Sequence, residues 1–337
     1  MIRVGIVGAT GYGGRELLRL LTAHPETELT AVASTSVAGQ SLASVLPAFE
    51  GLIDLTFEDF DAASLAKKCD VVFLATPSRE AVAPGKALRE AGVRVIDIGA
   101  DFRLKNPDHY AQYYKGPHEA PELLSGSVYG LPPWYRDQLK DAELVAVPGC
   151  YPISIILPLR PLLDAPLSDV PVVINSYSGA SGAGKSLSDA LHFAEANENM
   201  RAYKVGVHQH VPEIEQELQQ KMTVQFTPHV APITRGILST IALRPAELFD
   251  PAPYYARYAD EPYIRVRGEN VYPEVKYIRG TNFCDIGWTR DERTGNLIIV
   301  CAIDNLMGGT AGMAIQCLNI MYGLDEKTGL QWGGMAP

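Results

Sequence analysis

The sequence predicts an α/β chain in two parts: a parallel sheet covered by helices, followed by an α+β region built on a mostly antiparallel sheet. Three observations carry this. Over the first 100 residues near-continuous apolar runs alternate with amphipathic stretches, the pattern of strands buried on both faces and joined by helices. A glycine-rich turn, GATGYGG at 8–14, lies between the first apolar run and the first helical stretch. After Cys150 the strands become longer and the helices fewer.

Taken in order, IRVGIV enters the glycine turn, and Tyr12 to His24 carries Leu17, Leu20 and Leu21 at helical spacing. LTAVAS, VVFLAT and VRVIDIG read as three further strands. From about Phe102 to Arg136 the chain is rich in Pro, Gly, Tyr and His, which predicts loops and short helices before ELVAVPG adds a strand and closes the domain near Pro148. Beyond it come a Pro-punctuated helix, a strand VPVVINSYS, a Gly-rich loop, a helix from about Leu187, and strands around TVQFTPHV, GILSTIALR and NLIIVCAI. Ala314, Cys317, Leu318 and Met321 then follow i, i+3, i+4, i+7 spacing on a helix that stops at Gly323. That helix is apolar nearly all round, so it must be buried, and it is expected to return to the first domain. The expected organisation is a dinucleotide-binding domain of 1–148 with 308–337, and a catalytic and oligomerisation domain of 149–307.

Composition narrows the function. The 29 Lys+Arg against 39 Asp+Glu leave a formal charge of −10, which offers no positive field for nucleic acid. The richest apolar run, Ile153 to Leu159, contains Ser154 and Pro158 and is far short of a membrane span. The N-terminus reads directly as strand and turn, without the pattern of a signal peptide, so a cytoplasmic location is expected. Five cysteines without a C-x-x-C pair argue against a disulfide framework and against a structural zinc site, and no metal is expected.

Glycines at 8, 11 and 14 at a strand-to-helix turn present backbone N–H groups and a helix N-terminus to a pyrophosphate, as in a Rossmann-type domain. The second strand ends at Ala33, Ser34, Thr35 and Ser36 with no acidic residue for a ribose 2′-OH, while hydroxyls there donate to a 2′-phosphate, which favours NADP over NAD. A second loop, GASGAGKS at 179–186, matches the Walker pattern in full. It lies behind a complete dinucleotide unit and no clear Walker-B aspartate follows, so an anion-binding substrate loop is the better reading and a P-loop phosphotransferase the alternative of a different class.

PGCYP at 148–152 puts Cys150 at a sharp strand-to-helix turn at the domain boundary, where a helix N-terminus stabilises a thiolate. Cys69, Cys301 and Cys317 sit in apolar patterns and read as packing residues, with Cys284 ambiguous. His208 and His210, in VHQHVPEI, flank a turn whose i, i+2 spacing lets only one of them face a given cleft; His229 is the next candidate base, and His24, His109, His118 and His192 read as surface or helix-face residues. Arg103, Lys185 and Arg235 are the candidate partners of an anionic substrate.

The ordered set VGATGYGG, VVFLATPS, GADFRL, YYKGPHEAPELL, VYGLP, AVPGCYP, SGASGAGK, HQHVPEI, FTPHVAPITRGI, NFCDIG, LIIVCAIDNL and GGTAGMAIQCLNIMYG resembles the N-acetyl-γ-glutamyl-phosphate reductase family, related to aspartate-semialdehyde dehydrogenase. The resemblance covers nearly the whole chain. It implies that Cys150 attacks an acyl phosphate, that His210 is the acid/base with His208 beside it, and that NADPH reduces the thioacyl enzyme to a semialdehyde in arginine biosynthesis. It implies a substrate pocket of Arg103, Ser181, Gly182, Lys185, His208 and Arg235. It implies a cofactor site of Gly8, Thr10, Gly11, Tyr12, Gly13, Gly14, Ser34, Ser36, Thr76, Pro77 and Asn305, and a homodimer or homotetramer. Two positions depart from the family pattern: Gly308 stands where many members have a basic residue, and Ile153 follows PGCYP. Relatives acting on carrier-bound acyl phosphates share these motifs, and a carrier-bound glutamyl or aminoadipyl phosphate is the alternative substrate.

Overall fold

The computed structural model describes residues 1–331 and 333–336. The chain divides into two units, Met1–Pro148 with Thr310–Gln331, and Gly149–Gly309 with residues 333–336.

In the first unit β1 (Ile2–Val7), β2 (Thr27–Ala33), β3 (Val71–Leu74), β4 (Arg94–Asp97), β5 (Val128–Tyr129) and β6 (Leu144–Ala146) form one sheet in the order β2-β1-β3-β4-β6-β5. Every pairing is parallel. Val4, Ile6, Val71, Val72, Phe73, Val95 and Ile96 are wholly buried, which is why these strands are apolar without alternation. The longer helices before Pro148 are α1 (Tyr12–Thr22), α2 (Ala62–Lys68), α3 (Val82–Glu90), α4 (Pro107–Tyr114) and α5 (Pro132–Lys140). In α1, Leu17, Leu18, Leu20 and Leu21 supply the buried face, each contributing ~1.5–3 kcal/mol by leaving water. The Pro-, Gly- and Tyr-rich stretch is tied down by Asp101, whose carboxylate accepts from Arg79 N, Ala81 N and the Tyr110 hydroxyl at 2.7, 2.9 and 2.8 Å.

In the second unit β7 (Val172–Gly179), β8 (Arg201–Ala202), β9 (Val224–Ala231), β10 (Ile237–Leu243), β11 (Ile264–Glu269), β12 (Cys284–Asp291) and β13 (Asn296–Ile303) run in the order β11-β12-β13-β10-β7-β9-β8. Four pairings are antiparallel and two, β11 with β12 and β7 with β9, are parallel. Helix α6 (Cys150–Leu159) packs on β10 and β13, and α7 (Val211–Glu217) on α6 and β9. Pro158 sits inside α6, and the carbonyls of Leu157 and Pro158 accept from the hydroxyls of Tyr258 and Tyr255, each at 2.8 Å. Ser154 Oγ donates to Tyr151 O at 2.8 Å and lies 2.7 Å from Ser239 Oγ, itself 2.6 Å from Ser176 Oγ. This buried hydroxyl chain ties α6 to β10 and β7.

The last helix, α8 (Gly312–Met321), is buried along its whole length and belongs to the first unit, against α1, α5 and β4. It ends where Gly323 takes φ +68° and Leu324 N donates to Asn319 O, a left-handed glycine stop. No helix among the described residues is long and apolar enough to cross a membrane.

Three expectations need correction. The tail is expected in the dinucleotide-binding domain as part of 308–337, but residues 333–336 fall in the second unit, where Met335 N donates to Arg279 O and Arg279 Nη2 to Met335 O. No continuous helix starts near Leu187; the segment forms single turns at Asp189–Leu191 and Phe193–Ala196. Leu187 and Phe193 point to solvent there, so nothing buries an apolar stripe that would hold a longer helix. His24 and His118 are not surface residues: both are buried, His24 Nε2 on Asn319 Oδ1 and His118 Nε2 on Asp101 O, each at 2.9 Å.

Candidate active site

The glycine turn of the first unit is built for close backbone approach. Gly8 has φ +90°, and a Cβ there would meet Ala75 O at 2.5 Å; one on Gly14 would meet Gly8 O at 2.6 Å. With side chains excluded and no side-chain cap on Gly11, the first N–H groups of α1 are presented as an anion site. Thr10 O accepts from Arg15 Nε, and Tyr12 is 37% exposed, so its ring is available at the surface. Ser34 Oγ lies 3.3 Å from Ser36 Oγ beyond the end of β2. Thr76, after β3 and followed by Pro77, has a buried hydroxyl without a protein partner. Cradle, hydroxyl pair and orphan hydroxyl together fit a nicotinamide dinucleotide.

Arg103 is engaged by the backbone of the first unit. It is 6% exposed, and its guanidinium donates from Nε to Val147 O at 2.8 Å and from Nη2 to Ile98 O at 3.1 Å. It holds the strand ends that lead into PGCYP. Nearby, Asp97 is wholly buried at the end of β4 with Oδ1 accepting from Gly99 N; burial, then the charge of Asp101, push its carboxyl up to about 7.

In the second unit Cys150 is the half-buried first residue of α6, whereas Cys69, Cys284, Cys301 and Cys317 are buried. Cys284, ambiguous in the sequence, packs its Sγ 3.4 Å from that of Cys301. Gly149 precedes α6 without a side-chain cap. A Cβ on Gly149 would stand 2.6 Å from His210 Nε2, and the Tyr151 ring lies 6.0 Å from the His210 ring. His210 therefore contacts the residues on both sides of Cys150. Gly149 N donates to Glu213 Oε1 at 2.8 Å. Sequence reasoning missed Glu213, a wholly buried carboxylate on α7, and the only available signal was an acidic residue three positions after His210.

His208 is buried beside His210. It is 2% exposed, lies among the rings of Tyr151, Tyr203 and Phe226, and accepts from His210 N through Nδ1 at 3.2 Å. Burial lowers its pKa to about 4, so it is the neutral acceptor that orients His210. His229 stacks on Tyr177 at 4.5 Å, and its carbonyl accepts from the Tyr151 hydroxyl at 3.0 Å.

The glycine-rich loop follows β7 as a 3-10 turn, Ala180–Ala183, and lies against the turn before β10. Ala180 N donates to Ile233 O at 2.9 Å, Ser181 N to Thr234 O at 3.2 Å, and Gly179 N to Gly236 O at 2.8 Å. Asn305 locks this pair together: Gly236 N donates to its Oδ1 at 2.7 Å, and its Nδ2 donates to Ser181 Oγ at 2.9 Å. The resemblance places Asn305 at the cofactor; these bonds join its side chain to the Gly-rich loop and to the turn before β10. Arg235 Nη1 stands 4.0 Å from Asp304 Oδ2. The structure thus gathers Ser181, Gly182, Arg235 and Asn305, while Lys185 is exposed beyond the turn. The Walker pattern lacks the α-helix that would aim a dipole at a triphosphate.

Two family models match the chain: "Semialdehyde dehydrogenase, NAD binding domain" over 3–142 and "Semialdehyde dehydrogenase, dimerisation domain" over 150–305. The N-acetyl-gamma-glutamyl-phosphate reductase of Desulforudis audaxviator is 47% identical over 346 residues, covering 100% of both chains. That of Pelotomaculum thermopropionicum is 46% identical, covering 100% of this chain and 99% of the relative. The chain belongs to the N-acetyl-gamma-glutamyl-phosphate reductase family. The chain shares its fold with aspartate semialdehyde dehydrogenases. That of Candida albicans, solved with NADP, has a TM-score of 0.73 at 18% identity, covering 96% of this chain and 98% of that one. Aspartate semialdehyde dehydrogenase II of Vibrio cholerae, complexed with ASA, gives 0.72 at 16% identity, with 96% and 98% covered. The family member described here is an NAD(P)-dependent oxidoreductase.

Proposed function

We propose that this chain reduces N-acetyl-γ-glutamyl phosphate to the semialdehyde and inorganic phosphate with NADPH, in the cytoplasm, as a step of arginine biosynthesis. The observation that supports this most is the turn at Cys150: a half-buried cysteine opens α6, and His210 contacts both its neighbours. Cys150 Sγ, as the thiolate, attacks the acyl carbon; the bond from that carbon to the phosphate oxygen breaks and phosphate departs. His210 takes the thiol proton as the C–S bond forms and returns it to the Cys150 sulfur when that bond breaks and the carbonyl of the aldehyde re-forms, an effect worth about 10²- to 10⁴-fold. Arg235, Ser181 and Gly182 bind the anionic end of the substrate, with Lys185 above the loop. Backbone N–H groups opening α6 stabilise the oxyanion. The dinucleotide, when bound, supplies the hydride; Gly8, Gly11, Gly13 and Gly14 with Thr10 and Tyr12 would hold its pyrophosphate side, Ser34 and Ser36 a 2′-phosphate, and Thr76 and Pro77 the rim between. The matched dimerisation domain supports a homo-oligomer.

The test is phosphate-dependent reduction of NADP⁺ with N-acetylglutamate semialdehyde, run beside glutamate semialdehyde, aspartate semialdehyde and NAD⁺, with Cys150→Ala as control. Turnover with the acetylated substrate and NADP⁺, lost in the variant while NADP affinity is kept, is the expected result. Absence of turnover on all three aldehydes overturns the free N-acetyl substrate and points to a carrier-bound acyl group.

A further inference from the structure

Asp304, at the end of β13, is wholly buried and organises the turn that follows. Its Oδ1 accepts from Leu306 N and Met307 N at 2.8 and 3.0 Å, and its Oδ2 from Gly280 N at 2.7 Å. Gly309 N closes the turn on Asp304 O at 2.8 Å. The turn runs as a π-type helical turn, Met307–Ala311, a wide geometry that recurs at functional sites. It brings Gly309 against the cysteine: a Cβ built on Gly309 would lie 2.9 Å from Cys150 Cβ, 3.1 Å from Asp304 O and 3.3 Å from Ile303 Cδ1. The neighbouring Gly308 meets only the Asn282 and Phe283 backbone, so the contact with the cysteine belongs to Gly309.

Gly149 does the same for the imidazole, since its missing side chain is the space in which His210 Nε2 and Cε1 lie, 2.6 and 2.9 Å from where a Cβ would be. Glu213 fixes that glycine through its N–H. Cys150 thus has a side-chain-free wall on each side, one held by the buried carboxylate of Asp304 and the other by that of Glu213. Resting on the reading of Cys150 as nucleophile and His210 as acid/base, we propose that Gly309 and Gly149 are positioning residues. Gly309 sets where the thiol stands, and Gly149 sets how closely the imidazole approaches it.

Apolar carbons rest at roughly 3.5–4.0 Å, so a methyl on Gly309 displaces Cys150 Cβ by about 0.6 Å or more. A shift approaching 1 Å in a reacting atom costs about 10²-fold in rate. Gly309→Ala is expected to lower kcat about 10- to 100-fold, leave the KM for NADP⁺ and for the aldehyde within about twofold, and keep the pH profile of Cys150 alkylation by iodoacetamide. Gly149→Ala is expected to lower kcat as well, but to move that alkylation profile to higher pH, because the imidazole is pushed from the thiol. The other four cysteines are buried, so alkylation of the folded protein reads Cys150.

A wild-type kcat in Gly309→Ala, or the same alkylation shift in both variants, overturns the assignment. If Gly309→Ala does not fold, Asp304→Asn decides, since it loosens the turn without adding atoms beside the cysteine. It should lower kcat at unchanged KM for NADP⁺ and unchanged alkylation profile, and an unaltered kcat refutes the role. Turnover surviving in Cys150→Ala would instead refute the nucleophile reading on which the inference rests.

Discussion

Replacing Asp97 by asparagine should change the stability of the first unit in a way that reverses sign with pH. The carboxyl is pushed from its ordinary 3.8 up to about 7. Between those values the unfolded chain has lost its proton while the folded chain retains it, so stability falls as pH rises through the window and is constant above it. About three pKa units at 1.36 kcal/mol each amount to ~4 kcal/mol lost between pH 4 and 7. The amide introduced by Asp97→Asn keeps the acceptor for Gly99 N but buries an NH₂ where Oδ2 has no partner, which costs ~1–3 kcal/mol at every pH. Asp97→Asn should therefore be less stable than the parent by ~1–3 kcal/mol at pH 4 and more stable by a similar amount at pH 8. The measurement is urea unfolding followed by far-UV circular dichroism at pH 4, 5, 6, 7 and 8, at constant m-value. A mutant-minus-parent difference that stays flat across this range would mean that the buried carboxylate is fully compensated, with Arg103 as the cation that favours its charged form, and would refute the reasoning.

Other expectations are as direct. His208, lowered from 6.5 to about 4 by burial, stays neutral in the folded chain while the unfolded chain gains a proton, so stability is lost as pH falls from 6.5 to 4; His208→Phe should remove ~3 kcal/mol of that loss in urea titrations. Glu213→Gln keeps an acceptor for Gly149 N but not its charge, a loss of ~1 kcal/mol; a kcat about fivefold lower, with NADP affinity unchanged, is expected from steady-state kinetics and fluorescence titration. Arg103→Lys separates anchor from substrate ligand. As an anchor of Val147 O and Ile98 O its loss costs ~1–3 kcal/mol of stability with little change in KM, whereas a raised KM at full stability would make it a substrate ligand. Ser34→Ala with Ser36→Ala should raise the KM for NADP⁺ about 100-fold or more, each hydroxyl bond to a charged phosphate contributing ~1.5–3 kcal/mol net, and leave NAD⁺ unaffected.

What could be read from the sequence was what is local. The glycine turn, α1, β3, β7, β13 and α8 announce themselves because strand burial, helical spacing and glycine stops leave marks within a few residues. β12 did not, because its alternation is broken by Gly287, where a Cβ would collide with Val271 O, a contact set by chain 16 residues away. The segment after Gly184 looks helical from its composition, and only the absence of a surface to bury Leu187 and Phe193 decides against it. The burial of His24 and His118 is hidden from the sequence because their partners, Asn319 and the carbonyl of Asp101, lie far along the chain. Cys150 and His210 were legible as types at a turn, yet the roles of Glu213, Asp304 and the two glycines reside in atoms that are hidden or absent, and no spacing rule reports them.

The hydroxyl chain of Ser154, Ser239 and Ser176 has a consequence for how this molecule can vary. Each oxygen is satisfied by the next, with Tyr151 O accepting at one end, and all three serines are wholly buried. Replacing Ser239 by alanine strands Ser176, whereas replacing Ser176 and Ser239 together leaves Ser154 still bonded to its own helix. The second substitution should thus be milder in the presence of the first than alone. Drift at these positions is a correlated walk: the chain can be shortened from its β7 end inward, but a gap opened at Ser239 blocks the path.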